Sequence, residues 1–195
     1  MIQWNPRQWQ MLQHGSPRQM LAYQIILDSN LFDILKPFDP AHVGTIGNDI
    51  DLPSSDIDII CCADDFSKII TVIQEKFNDE MIQHSIFDSR GVDALSIQIS
   101  REIPIEIYVE NTPVEKQLGY RHFMIGCRVL DLIGTEAHNE IRRLKSEGMK
   151  TEPAFVRMLG MAGDPYLSFL RLEEMSDDAV RMLWGAARTQ SGSPA

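Results

Sequence analysis

A chain of 195 residues, 44% hydrophobic and 24% charged, is long enough for one folded domain with a small appendage and too apolar for wholesale disorder. Its 28 acidic and 18 basic residues give a formal net charge of −10, which counts against extended, non-specific nucleic-acid binding because such a surface repels polyanions. No apolar run approaches the roughly 20 residues that span a bilayer. Residues 1–7 lack the basic start and apolar stretch of a secretory signal, and three cysteines, two of them adjacent, make no disulfide framework. We therefore expect a reduced, cytoplasmic protein.

Hydrophobic periodicity and turn residues divide the chain into a mixed first part and a helical second part. In chain order, the predicted elements are two helical pieces within 1–36 broken near 28–30, a strand over 41–43, a flexible turn over 44–47, a strand over 56–62, a helix over 64–78, strands over 81–87, 94–100 and 103–110 with a turn over 88–91, and helices from 112 onward. This order predicts an α+β fold, with a small mixed sheet of about four to five strands flanked by helices and followed by a helical C-terminal part.

Capping residues indicate where several helices begin and end. Asp64 is placed to cap the helix over 64–78, and Thr135 and Ser176 are placed to cap two later helices. Gly148 is expected at a helix C-terminus, because glycine readily adopts the left-handed conformation found there. We place the domain boundary near residue 112, with an α/β core and N-terminal helices over 1–112 and a helical part over 113–195.

The strand predicted over 103–110 has an apolar face and an acidic face, because successive side chains point to opposite sides. Pro104 cannot donate a backbone hydrogen bond, and it indicates an edge strand or a strand start. The apolar face carries Ile103, Ile105, Ile107 and Val109, and the opposite face carries Glu102, Glu106, Tyr108 and Glu110.

Two aspartates stand at the exposed start of the strand predicted over 56–62. Residues i and i+2 of an extended chain point to the same face, so Asp56 and Asp58 present two carboxylates side by side. Two like charges so close are costly unless one is protonated or a cation lies between them, and Mg²⁺ prefers such oxygen ligands. The alternative is that both aspartates belong to a solvated turn or edge.

A glycine turn, Gly44-Thr45, lies upstream of this pair, with ten residues between Thr45 and Asp56. Glycine permits close approach, so backbone N–H groups and the threonine hydroxyl are available to phosphate oxygens. Taken alone, such a turn is ordinary. Together with the aspartate pair on the next strand, it predicts a phosphate cradle beside a metal site.

The run from Gly44 to Ile60, GTIGNDIDLPSSDIDII, resembles the signature of the DNA polymerase β-like nucleotidyltransferase superfamily. Members carry a Gly-Ser turn, a spacer of about this length and a paired Asp ahead of a buried strand, with a third carboxylate on a later strand. The whole chain more narrowly resembles a bacterial family, DUF4269, through Tyr120-Arg121-His122, the segment from Leu144 to Phe155, and Gly163-Asp164-Pro165-Tyr166. The resemblance implies a nucleotidyltransferase-like fold and a reaction class, without a particular substrate.

The resemblance implies two-metal transfer of a nucleoside monophosphate from an NTP to a hydroxyl of an unidentified small-molecule or protein acceptor. Asp56 and Asp58 then share the metal ions, Mg²⁺ or Mn²⁺, and are catalytic. Glu106 is the candidate for the third carboxylate, as both a catalytic residue and a metal ligand. Glu102 and Glu110 share its face and are the competing choices.

The resemblance places the nucleotide at Gly44, Thr45 and Ser55. Thr45 stands where the superfamily usually has serine, a difference that keeps the hydroxyl. The loop after this turn carries no Arg or Lys for the triphosphate and two further acids, Asp49 and Asp51. Cations from elsewhere in the chain are therefore expected, with these candidates: Arg90, Arg121 and Lys150.

Two other classes of function stay open. The missing basic residue after the turn favours a catalytically silent module that binds or regulates, as antitoxin-like members of the superfamily do. If the chain is instead a purely structural interaction protein, no Mg²⁺ binding is expected. The three-acid arrangement disfavours this class of function. Expected partners are an NTP and the unidentified acceptor, with no extended nucleic acid and no membrane, and a homodimer is one assembly that we consider.

Overall fold

The computed structural model describes residues 6–78, 82–87, 92–98 and 102–190. Contacts divide the chain into two units, which are described in turn. The first unit comprises Met1–Asp49 and Ser54–Tyr120, and the second comprises Ile50–Pro53 and Arg121–Ala195. Four residues of the loop that follows the glycine turn therefore belong to the helical unit.

The first unit contains a mixed sheet, which confirms the predicted α+β class. Its strands are β1 (Ala41–Val43), β2 (Ile57–Cys62), β3 (Ile82–Phe87), β4 (Val92–Ile97) and β5 (Ile105–Glu110), in the spatial order β1-β2-β5-β4-β3. β2 and β5 are parallel, and the other neighbouring pairs are antiparallel. The turn predicted over 88–91, the first residue of the strand predicted over 81–87 and the last two of that predicted over 94–100 lie outside the described residues.

β5 lies in the middle of the sheet, between β2 and β4, so the prediction of an edge strand is wrong and that of a strand start is right. Pro104 stands directly before β5, where its missing N–H removes no bond of the ladder. Its carbonyl accepts a hydrogen bond from the backbone N–H of Ile57 at 2.9 Å. The predicted alternation holds, because Ile105, Ile107 and Val109 are buried while the residues between them are half-buried.

Five α-helices of this unit are described: α1 (Pro6–His14), α2 (Pro17–Asp28), α3 (Leu31–Leu35), α4 (Gly44–Gly47) and α5 (Phe66–Gln74). The break predicted near 28–30 is present, but the N-terminal section forms three helices rather than two. Ser16 and Gln19 make a reciprocal capping box that begins a new helix at Pro17. The flexible turn predicted over 44–47 is instead a single helical turn.

The N-cap of α5 is Asp65, and the prediction of Asp64 is wrong. The Asp65 carboxylate accepts a hydrogen bond from the backbone N–H of Ser67 at 2.9 Å, as an N-cap does. Asp64 instead pairs with Lys68 at 2.6 Å on the exposed surface. Both acids fit the sequence signal for a cap, and only the backbone geometry separates them.

The apolar face of the sheet and the helices of this unit share one core. Ile57 and Ile59 of β2 and Ile105 and Ile107 of β5 are fully buried in it. The buried residues contributed by helices are Leu12, Ala22, Ile25, Ile26, Leu31, Phe32, Leu35, Ile46, Ile69 and Ile73. Packing of this core therefore supports the opposite face of β2 and β5, which carries Asp58 and Glu106.

The second unit contains α6 (Leu118–Ile133) from Arg121 onward, together with α7 (Thr135–Ser146), α8 (Thr151–Met158), α9 (Pro165–Arg171) and α10 (Asp177–Gln190). Its core includes Ile50, which is fully buried although it lies far upstream in sequence. The Lys145 ammonium donates a hydrogen bond to the Ile50 carbonyl at 2.8 Å. Among the described residues, no helix combines the length and apolar character needed to cross a bilayer.

The helix ends of this unit agree with two of three predicted caps. Gly148 has φ +93° and directly follows Glu147, the C-cap of α7, so the predicted glycine stop lies at the end of this helix. The Ser176 hydroxyl accepts a hydrogen bond from the backbone N–H of Ala179 at 3.2 Å, as an N-cap does. The third prediction is wrong, because Gly134 is the N-cap of α7 and Thr135 is its first helical residue.

Candidate metal centre

The register of the parallel strands brings three carboxylates together. Asp58 of β2 lies opposite Glu106 of β5, and Asp56 directly precedes β2. One carboxylate oxygen from each of Asp56, Asp58 and Glu106 lies within 4.8 Å of the other two. All three residues are half-buried at the start of the two strands.

The donor set of this cluster fits a hard divalent cation. Three carboxylates at this separation repel one another, and partial burial strengthens the repulsion by reducing the screening from water. A cation relieves the repulsion, and an all-oxygen set suits Mg²⁺ or Mn²⁺ rather than a metal that prefers sulfur or imidazole.

Tyr108 contacts the third carboxylate directly. It lies two residues after Glu106 on the same face of β5, and its hydroxyl donates a short hydrogen bond to Oε2 of Glu106. Burial raises the pKa of Tyr108, and the hydrogen bond to Glu106 and the nearby charges of Asp58 and Asp56 raise it further. The phenol is therefore protonated and is a permanent donor to this carboxylate.

Gly44 lies against Asp58 so closely that no side chain fits. Its φ is +81°, a left-handed conformation that glycine tolerates at little cost. A Cβ added at this position meets Oδ2 of Asp58 at 1.9 Å, Cγ at 2.7 Å and Cβ at 2.9 Å. The start of α4 thus packs directly on one of the clustered aspartates.

The hydroxyls of Thr45 and Ser55 meet beside this contact. Thr45 Oγ1 donates to Ser55 Oγ at 3.1 Å, which joins the first turn of α4 to the residue before Asp56. Both residues are half-buried. Gly44, Thr45 and Ser55, which the resemblance implies as nucleotide contacts, therefore lie in one patch with Asp58.

Two side chains of helix α2 donate hydrogen bonds to the backbone of the same patch. The Arg18 guanidinium donates to the carbonyl of Ser55 at 2.6 Å. The Gln19 amide donates to the carbonyls of Ile46 at 2.9 Å and Gly47 at 3.2 Å, and Gln19 is buried. These bonds hold α4 and the segment before Asp56 against one rigid helix.

The profile of the family described as Domain of unknown function (DUF4269) matches residues 24–172. The chain belongs to this family. The family resemblance predicted from the sequence is thereby confirmed. No curated protein matches the sequence.

The fold of this DUF4269 protein is similar to those of solved RNA-tailing polymerases. A chain of the GLD-2–GLD-3 poly(A) polymerase complex matches with a TM-score of 0.55 and 12% identity, covering 90% of this chain and 66% of that one. The Cid1 poly(U) polymerase with Mg 3′-dATP bound gives 0.52 and 12%, covering 84% and 52%. A further Cid1 structure gives 0.54 and 9%, covering 79% and 53%. The likeness shows a nucleotidyltransferase-like fold, and the DUF4269 chain spans about half the length of the Cid1 chains that it matches.

The competing acids on β5 lie away from the cluster. Glu102 is exposed and precedes the strand, and Glu110 ends it, opposite Cys62. Only Glu106 stands opposite Asp58. The parallel register therefore distinguishes it from the other two.

The cations expected for a triphosphate have different surroundings. Arg90 lies outside the described residues. Arg121 is bound by Glu173, with Nη2 and Oε2 2.5 Å apart. Lys150 is exposed at the N-terminus of α8. Of the two candidates within the described residues, Arg121 therefore already forms an ion pair.

Three segments that carry the family resemblance make structural contacts in the helical unit. His122 Nδ1 lies 3.0 Å from Oε1 of Glu152 in the first turn of α8. Asp164 caps α9 by accepting from the backbone N–H of Leu167 at 2.9 Å, with Pro165 as the first helical residue. Each of the three segments thus contributes a contact within the helical unit.

Sequence reasoning did not identify Arg18, Gln19 or Tyr108 as parts of the site. The i, i+2 spacing placed Tyr108 on the face of Glu106, which was a signal for the hydrogen bond. Gln19 belongs to a Ser-x-x-Gln capping box, which signals a helix start but not that the amide reaches α4. Nothing in the sequence indicates the bond from Arg18 to a carbonyl 37 residues away.

Proposed function

We propose that this protein is a nucleotidyltransferase that moves a nucleoside monophosphate from an NTP to a hydroxyl of a small-molecule or protein acceptor. The observation that carries the proposal is the convergence of Asp56, Asp58 and Glu106 beside the Gly44-Thr45 turn. The nucleotidyltransferase-like fold supports the reaction class. The net charge of −10 favours an acceptor other than a long polyanion.

The reaction replaces the phosphoanhydride bond between the α- and β-phosphates by a phosphoester bond to the acceptor. The acceptor oxygen forms a bond to the α-phosphorus, the bond from that phosphorus to pyrophosphate breaks, and the acceptor's proton leaves to solvent. Divalent cations held by the three carboxylates supply charge neutralisation and lower the pKa of the attacking hydroxyl. The protein's own part is positioning, which is effective because a rigid sheet carries two of the ligands.

The patch around α4 suits phosphate oxygens. Gly44 carries no side chain, so the start of α4 packs directly on Asp58 and lies beside the carboxylates that would hold the cations. The Thr45 and Ser55 hydroxyls can each turn toward a phosphate, since a hydroxyl both donates and accepts. The bonds from Arg18 and Gln19 hold these groups in place before a nucleotide arrives.

A catalytically silent nucleotide-binding module is the second candidate function. The loop from Gly44 to Ser55 has acids and no Lys or Arg, and Arg121 is paired with Glu173. A phosphate-binding loop that carries acids and no Lys or Arg favours weak triphosphate binding without turnover. Such a module binds the cation and NTP but releases no pyrophosphate with any acceptor.

The test is calorimetry of Mn²⁺ and Mg²⁺, alone and with each NTP, combined with an assay for pyrophosphate release. Asp56→Asn and Asp58→Asn keep the side-chain shape and remove one ligand charge, and we expect each to abolish cation-dependent NTP binding and turnover. Asp64→Asn is the matched control, because it makes the same change on the exposed surface of the same unit. Full Mg²⁺-dependent activity in Asp58→Asn contradicts the proposed function.

A further inference from the structure

The hydrogen bond from Tyr108 to Glu106 bears on which cation the cluster prefers. Tyr108 is half-buried in the middle strand of the sheet, and its ring is carried by the same strand as the carboxylate that it contacts. Because both residues belong to β5, their spacing is fixed by strand geometry rather than by a flexible loop. With this backbone spacing, the hydrogen bond from the hydroxyl restrains Oε2 of Glu106.

A carboxylate restrained at one oxygen binds a metal differently from a free one. The hydrogen bond draws electron density from Oε2 and occupies one of the lone-pair sites of the carboxylate. Symmetric coordination through both oxygens then requires that the bond be weakened or broken. Coordination through one oxygen leaves it intact and is favoured.

Mg²⁺ and Ca²⁺ differ in their demand for such two-oxygen coordination. Mg²⁺ takes six ligands at about 2.1 Å in near-ideal octahedral geometry, which a carboxylate satisfies with one oxygen. Ca²⁺ takes roughly six to eight ligands at about 2.4 Å and commonly uses both oxygens of one carboxylate. A restraint against the two-oxygen mode therefore penalises Ca²⁺ more than Mg²⁺.

We propose that Tyr108 is a positioning residue that holds Glu106 to one-oxygen coordination and thereby makes the carboxylate cluster select Mg²⁺ over Ca²⁺. This inference rests on the metal site of the proposed function. It goes beyond that function by assigning cation selectivity to a hydroxyl that is not itself a ligand.

The experiment compares the dissociation constants of Mg²⁺ and Ca²⁺, measured by calorimetry on the full chain without nucleotide. Tyr108→Phe removes only the hydroxyl, and Tyr166→Phe makes the same change at an exposed position on α9. We expect Tyr108→Phe to weaken Mg²⁺ binding by about tenfold, the lower end of the range for residues that orient metal ligands. Ca²⁺ binding is retained or tightened, so the ratio of the two constants moves by tenfold or more. Tyr166→Phe leaves both constants unchanged.

A second variant tests the same contact from the other side. Glu106→Asp keeps the charge but withdraws the carboxylate by one methylene from the Tyr108 hydroxyl. We expect it also to lower the preference for Mg²⁺, and thermal unfolding in EDTA establishes that each variant is folded. If Tyr108→Phe does not fold, the ratio in Glu106→Asp decides, and an unchanged ratio there overturns the inference.

The outcomes separate this inference from the proposed function. If Tyr108→Phe leaves the ratio of the Mg²⁺ and Ca²⁺ dissociation constants unchanged, including by weakening the binding of both cations equally, the selectivity role is overturned. The proposed metal site stands in that case if Asp56→Asn still abolishes binding. If Asp56→Asn binds each cation as tightly as the unsubstituted protein does, the proposed metal site is wrong and the inference is wrong with it. A ratio of the two constants that shifts toward Ca²⁺ in Tyr108→Phe but not in Tyr166→Phe supports the inference.

Discussion

Replacing Gly44 with alanine tests whether the start of α4 positions Asp58. The added Cβ lies 2.9 Å from Cβ of Asp58, which is 0.5 Å short of an ordinary van der Waals contact. Rotation of the Asp58 side chain relieves the contacts with Oδ2 and Cγ but cannot move its Cβ. Backbone must therefore shift, and the carboxylate shifts with it.

The expected cost has two parts. Holding alanine at φ +81° costs about 1–2 kcal/mol, because the left-handed region crowds a Cβ. Overpacking against Asp58 adds about 1–3 kcal/mol. We therefore expect Gly44→Ala to lower the free energy of unfolding by about 2–5 kcal/mol and to weaken Mn²⁺ binding by roughly tenfold or more.

Gly134→Ala provides the matched control for this substitution. Gly134 has φ +84°, but a Cβ there meets nothing within 4 Å. It carries the backbone strain without the collision, and the lower entropy of the unfolded alanine chain is common to both variants. Since Gly134 has ψ −153°, in a region that is almost restricted to glycine, we expect a loss of about 1–3 kcal/mol and unchanged Mn²⁺ affinity.

The assays are denaturant unfolding without metal and calorimetry of Mn²⁺ for both variants. If Gly44→Ala unfolds like Gly134→Ala and binds Mn²⁺ like the unsubstituted protein, the close packing of Gly44 on Asp58 has no role in the site. That result refutes the reasoning.

Two further predictions concern His42 and Thr45. Burial lowers the pKa of His42 to about 4 from 6.5, so its contribution to stability is complete above pH 6.5 and is lost as the pH falls toward 4. Linkage gives a loss of about 2 kcal/mol between pH 7 and pH 5, measurable by denaturant unfolding. Thr45→Val removes the hydroxyl beside Ser55, and we expect the affinity for Mg²⁺ with NTP to fall by about tenfold, in the range for a hydrogen bond to a charged group.

Each of these predictions has a control variant at the same position. His42→Gln should remove this part of the pH dependence whatever its own stability, and equal slopes in both proteins would falsify the assignment. Thr45→Ser keeps the hydroxyl and should retain nucleotide affinity. If Thr45→Ser and Thr45→Val lose affinity equally, packing of the methyl group rather than the hydroxyl is responsible.

Local patterns were sufficient to predict the strands that carry the site. The alternation over 105–110 follows from burial on one face, and a buried face imposes a period of two on the sequence itself. The Asp56-Ile57-Asp58 pattern is local in the same sense. For this reason β2, β5 and the pair of aspartates were predictable without knowledge of the neighbouring strands.

Features that depend on pairing between distant segments were not predictable. Glu102, Glu106 and Glu110 have the same local pattern, and only the register of β5 against β2 places one of them opposite Asp58. The choice between Asp64 and Asp65 is a local case, since both carry an acceptor and only the backbone conformation decides which one caps α5. The bonds from α2 to α4 join segments that share no sequence signal.

The membership of Ile50 in the helical core has a practical consequence for dissecting the protein. A polypeptide beginning at Arg121 lacks this fully buried side chain, and removing an isoleucine from a core typically costs about 2–5 kcal/mol. It also leaves the Lys145 ammonium without the carbonyl that it holds. Conversely, a fragment ending at Tyr120 exposes Ile50 to water within the loop that connects Thr45 to Ser55. One chain scission cannot yield two intact halves, so recombinant fragments need residues 50–53 grafted onto the helical piece and replaced by a polar linker in the other.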